Sequence, residues 1–134
     1  MILVSSCLLG VRCRYDGSSR PVPALWDVLG QGKSVVPVCP EQLGGLPTPR
    51  PPVFILGGDG FDVLAARAKV VRKIDRQDVT DFFLSGAEEC LKLVRLLGIR
   101  RAVLKSKSPS CGLSRPSGVT AAALILEGVD VMEF

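Results

Sequence analysis

The chain has 134 residues, 47% of them apolar, and 17 basic against 13 acidic side chains give a net charge of +4. That length and apolar share allow one domain, 1–134, with a core of its own and exclude disorder, while so modest a charge does not indicate a nucleic-acid binder. No apolar run reaches the length of a membrane span, and the start lacks the basic segment and apolar length of a signal peptide, so a cytoplasmic protein is expected.

Ile2-Leu3-Val4 is a short apolar run before a turn and reads as a strand buried on both faces. Val22 to Leu29, behind Pro21 and closed by Gly30, predicts a short helix. Ser34 to Val38 is a second strand, with Pro37 arguing against a central place in a sheet. Residues 40–52, rich in Pro and Gly, read as an irregular loop. Val53 to Leu56 and Ala68 to Arg72 suggest a hairpin-like pair around Gly57-Gly58-Asp59-Gly60, with Asp59 and Asp62 as turn residues. Asp78 and Asp81 open the clearest helix, with Phe83, Ala87, Cys90, Val94 and Leu97 at helical spacing and Gly98 at its end. Ala102 to Leu104 is a third strand, Gly118 to Leu126 an apolar helix, and Val129 to Val131 the last strand. Strands alternating with helices predict an α/β fold: a Rossmann-like open sheet, mostly parallel, with helices on both faces.

The chain has no histidine. This excludes Cys–His and Ser–His–Asp catalysis and any histidine-held zinc or haem, so a metal must be held by sulfur, or else oxygen. The five cysteines are odd in number and belong to a reducing compartment, which argues against a disulfide framework. Cys7, Cys39 and Cys111 each follow a predicted strand in a turn of small residues. Ligands collect outside the carboxyl ends of such strands, so three thiolates from distant segments can converge on a metal or iron–sulfur centre. Cys90 lies on the apolar helix stripe and reads as core. Cys13 is open between a fourth ligand, a resolving thiol and a loop residue, with a ligand role disfavoured. Asp16 and Glu41 are the acids in cysteine-bearing loops, each a candidate base, although Asp16 before Gly17 also fits a turn. Lys105, Ser106, Ser108 and Ser110 lead into Cys111 and offer hydroxyls and an ammonium to a substrate, whereas Lys107 reads as solvated.

Taken in order, Ser-x-Cys-Leu-Leu-Gly, Cys-Arg-Tyr-Asp-Gly, Cys-Pro-Glu-x-x-Gly-Gly-Leu-x-x-Pro-Arg and Lys-Ser-x-Ser-Pro-Ser-Cys-Gly resemble the thiouracil desulfidase family, long catalogued as a bacterial domain of unknown function. Asp-Val-Thr at the long helix and Gly-Val-Thr-Ala-Ala near the end extend the resemblance over nearly the whole chain. It implies a [4Fe–4S] cluster on three cysteines, here Cys7, Cys39 and Cys111, with a fourth iron open to the substrate's sulfur. It also implies non-redox replacement of sulfur by oxygen in a thiolated pyrimidine, free base or nucleoside. On this resemblance Glu41, Asp16 and Ser106 are the catalytic candidates, with Lys105, Ser108 and Ser110 binding substrate. Family members often carry a longer segment where only Leu113 to Ser117 stand here, which implies a more open pocket or another substrate. The competing readings are a sulfur-relay protein serving a transfer partner, a zinc-binding module on the same thiols completed by Cys13 or Glu41, and a thiol redox protein using Cys7 and Cys13.

Overall fold

A computed structural model of the chain describes residues 1–30, 32–114 and 116–134. Four short parallel strands make the main sheet: β1 (Ile2–Ser5), β2 (Val35–Val38), β5 (Arg101–Leu104) and β6 (Asp130–Glu133), in the order β2-β1-β5-β6. Ile2 stands opposite Val35 on one side and Arg101 on the other, so β1 and β5 are the inner strands. Their continuous apolar runs follow from burial on both faces. Leu3, Val4 and Leu104 are fully buried, and each such side chain contributes about 1.5–3 kcal/mol. Pro37 sits on β2, an edge strand, where a missing N–H costs no ladder bond on the open side.

One face of this sheet is covered by α4 (Thr80–Leu97) and α5 (Val119–Leu126), whose Cys90, Val94, Ala121 and Leu124 pack with Leu3, Ala102 and Leu104. The other face carries α1 (Leu25–Leu29) and a 3-10 turn, Ser6–Leu9, with Leu8, Leu25 and Leu29 against Ile2, Val4 and Val103. The fold is therefore the α/β arrangement the alternation predicts, with helices on both faces. No helix of the described residues is long and apolar enough to cross a membrane.

Several local readings change. α1 begins at Leu25 rather than Val22. The loop after β2 opens with a helical turn, α2 (Pro40–Leu43), capped by Cys39 with Pro at its start; the fixed φ of proline suits that place. β3 (Val53–Leu56) and β4 (Lys69–Arg72) do pair antiparallel, but a short helix, α3 (Gly60–Leu64), stands between them. Asp59 and Asp62 are not plain turn residues: each accepts the other's backbone N–H, at 3.0 Å in both directions, as a capping box. Asp78 caps the long helix from one position further out, accepting the N–H of Thr80 at 2.9 Å. Leu97 leaves the buried stripe and is 39% exposed. α2 lies close against α4 because Gly86 has no side chain; a Cβ there would run into the Pro40 carbonyl. That contact sets the first residues after Cys39 on a rigid helix.

Candidate active site

Cys39, Cys7 and Cys111 follow β2, β1 and β5, three strands that are neighbours in the sheet. Adjacent strands lie about 4.8 Å apart, so turns leaving their carboxyl ends are held side by side. All three cysteines line one cavity of about 310 Å³, which Cys13, Glu41, Arg50, Lys105, Ser106, Ser108 and Ser110 also line. Asp16 does not join them. It is exposed, and its carboxylate accepts the backbone N–H of Ser18 at 3.0 Å and the Ser18 hydroxyl at 2.5 Å. That is an Asx turn, the structural alternative for an Asp before Gly.

The Cys111 turn is built by its serines. Ser108 Oγ accepts the N–H of Cys111 at 3.1 Å and of Ser110 at 3.3 Å. The first N–H groups of α5 bind back onto this turn, Val119 to the Pro109 carbonyl at 2.9 Å and Thr120 to that of Ser110 at 2.8 Å. Gly118 permits the approach, since a Cβ there would meet the Ser110 carbonyl and the Cys111 nitrogen. This explains why a Gly-Val-Thr motif accompanies the Ser-Pro-Ser-Cys-Gly turn. Beyond it, Glu133 of β6 accepts the N–H of Leu113 at 2.8 Å and also binds the Ser114 hydroxyl. Arg115, within the segment noted as short in the sequence, lies outside the described residues.

The thiols differ in environment. Burial pushes Cys111 up to about 11, opposed by hydroxyls from Ser5 and Ser110, the latter 3.6 Å from its sulfur. Cys39 is raised by a hydrogen bond with Cys13 and by burial, opposed by the backbone N–H of Gln42. Cys7 is lowered by a hydrogen bond from Cys13, with burial acting the other way. Cys13 thus stands beside Cys7, the pair that the thiol-redox reading weighed, and also beside Cys39, which its place in the loop after Cys7 gave no means of seeing. Cys90 lies in the core, fully buried, and burial raises it further. Lys105 is lowered by partial burial and donates to the Ser106 carbonyl at 2.9 Å.

Glu41, on the first turn of α2, projects into the same cavity. Its Oε2 accepts the Ser110 hydroxyl at 2.9 Å, and its Oε1 accepts Nε of Arg50 at 3.0 Å. Arg50 is the residue that reading by segments missed. Its one signal is its place at the end of the Cys-Pro-Glu…Pro-Arg motif.

The donor set suits a [4Fe–4S] cluster. Thiolates are its normal ligands, and three are supplied from three rigid strand ends. Five cations, Arg14, Arg50, Lys73, Lys105 and Lys107, surround them against one acid, Glu41, so a negatively charged group is balanced. Among the described residues no three cysteine, aspartate or glutamate side chains stand close enough to hold a single metal ion, as a tetrahedral zinc with bonds near 2.3 Å would require.

Comparison with known proteins agrees with this chemistry. Residues 2–133 match the family described as 2-thiouracil desulfurase. A Bacillus subtilis (strain 168) protein, the uncharacterized protein YbbK, is 40% identical over 144 residues, covering 98% of this chain and 94% of its own. Among solved structures, the [4Fe–4S]-dependent thiouracil desulfidase TudS is similar with a TM-score of 0.83 and 40% identity, over 98% of this chain and 89% of that one.

Proposed function

The chain belongs to the 2-thiouracil desulfurase family, and from that premise we propose that it is a [4Fe–4S]-dependent desulfidase that replaces the sulfur of a thiolated pyrimidine, or a related thio-heterocycle, by oxygen. Cys7, Cys39 and Cys111 are the residues that would hold the cluster. When bound, the cluster supplies a Lewis acid at an iron without a protein ligand, drawing electron density from the carbon–sulfur bond. The observation that carries the reading is the shared wall: three strand-end thiols and the Glu41–Ser110 pair line one cavity of about 310 Å³. That volume lies within the range of small-molecule sites.

Glu41 is the proton acceptor, because its carboxylate lines the cavity while that of Asp16 is spent on a turn. It takes a proton from the attacking water at Oε2, the oxygen facing Ser110. Ser106 and Lys105, which follow β5 and line the cavity, orient the heterocycle's polar edge. Ser108 and Ser110 serve substrate through the turn they build, and Ser110 Oγ keeps Oε2 aimed. A carbon–oxygen bond forms at the thiocarbonyl carbon, the carbon–sulfur bond breaks, and sulfur leaves with the water's protons as hydrogen sulfide. No electrons are gained or lost. Sulfide is then the free product, or passes to an acceptor protein.

The test is turnover of 2-thiouracil by protein reconstituted without oxygen. Uracil and sulfide in equal amounts are expected. A protein with its full iron that makes no uracil contradicts the proposal and moves the sulfur-relay reading forward.

A further inference from the structure

We propose that Arg50 is a positioning residue of this site, which fixes the Glu41 carboxylate as proton acceptor and ties it to the cysteine loops; the inference rests on the desulfidase reading above. Its side chain is 3% exposed, so its charge is almost wholly out of water. A buried guanidinium needs every nitrogen partnered, and here every one is. Nε donates to Glu41 Oε1 at 3.0 Å, Nη1 to Thr48 Oγ1 at 3.0 Å and the Pro47 carbonyl at 3.2 Å, and Nη2 to the Cys13 carbonyl at 2.9 Å. Its own backbone N–H binds the Tyr15 carbonyl at 2.8 Å. One rigid fork therefore joins α2, the loop after it and the loop that follows Cys7.

The consequence for Glu41 is directional. With Oε1 engaged by Arg50 and Oε2 facing Ser110 Oγ at 2.9 Å, the carboxylate plane cannot turn without breaking a charge-assisted bond. The Cys13 carbonyl has a second partner, the Cys39 thiol at 3.6 Å. A Cys39 thiolate holding iron has no proton to give, so Arg50 becomes the donor that keeps this carbonyl in place. Lysine cannot substitute: it keeps the charge but lacks the planar fork that spans four acceptors.

The experiment compares wild type, Arg50→Lys, Glu41→Gln and the double variant, each loaded with iron. Three quantities are read: turnover of 2-thiouracil, iron per chain, and the infrared carboxylate band that Glu41→Gln removes. Arg50→Lys is expected to lower kcat by roughly 10- to 100-fold, the usual cost of losing such a supporting contact, with KM little changed and iron retained. It should shift the Glu41 band, and in the Glu41→Gln background it should cost nothing more. Full additivity in the double variant, an unmoved band, or iron lost in step with activity would each overturn the proposal. Wild type that is fully loaded yet inert toward thiouracil, while Arg50→Lys still moves the band, removes the desulfidase reading and leaves the hold of Arg50 on Glu41 standing.

Discussion

The two ends of the parallel sheet are built from the same strands and carry opposite chemistry. At the amino end, the connections into β5 and β6 form a shallow cavity of about 200 Å³ between Val94, Ile99 and Val129. There Arg95 donates to both oxygens of Glu127 at 2.8 and 3.0 Å, in an exposed pair. At the carboxyl end, thiols with displaced pKa values, a mostly buried carboxylate and a buried guanidinium share one wall. Burying groups of this kind costs stability unless they are paired or ligated. The amino end carries a solvent-exposed pair that adds little to stability, whereas the carboxyl end carries buried polar groups of the kind the proposed site would use.

The comparison breaks most visibly at the cysteines. Cys7→Ala, Cys39→Ala and Cys111→Ala should each abolish iron retention and desulfuration, as read by iron analysis after anaerobic reconstitution. Cys90→Ala, a core thiol on α4, should keep both and instead lose about 1 kcal/mol in urea unfolding. Iron lost equally in all four would erase the distinction between site and core. Next in size, Glu41→Gln should keep the iron and lower kcat by about 10²–10⁴, the usual span for a positioned base. Asp16→Ala should leave kcat and iron unchanged, and a loss like that of Glu41→Gln would reinstate it as the base.

The smallest effect lies at the amino end. The Glu127 carboxylate is held below its ordinary value by the hydrogen bond from Arg95, with their charge attraction adding to it. A depressed carboxylate contributes stability above the unfolded value, here 4.5, and loses it as pH falls through the folded one. Glu127→Gln should therefore lower the melting temperature slightly at neutral pH, with the deficit from wild type closing as pH falls below 4.5, and leave iron content untouched.

What could be read from the sequence follows the range of each interaction. The strands, the long helix and the three cysteines at strand ends were legible because apolar period and turn residues are local signals. The edge position of β2 was legible from Pro37. α3 was not, because Asp59 and Asp62 form a capping box that looks like turn chemistry in a Gly-rich stretch. The outward set of Asp16 depends on Ser18, and both roles fit the same residues. Arg50 and the contact of Cys13 with Cys39 escaped for another reason. Arg50 and Cys39 meet the Cys13 loop only after β1 and β2 pair.

The most direct test of the central claim, a four-iron cluster on three protein thiolates, is a Mössbauer spectrum of ⁵⁷Fe-reconstituted protein with and without 2-thiouracil. One iron in four with a distinct isomer shift, moved by thiouracil while the other three hold still, is the result predicted. Four irons that respond alike, or no four-iron signal in a fully reconstituted sample, would contradict it.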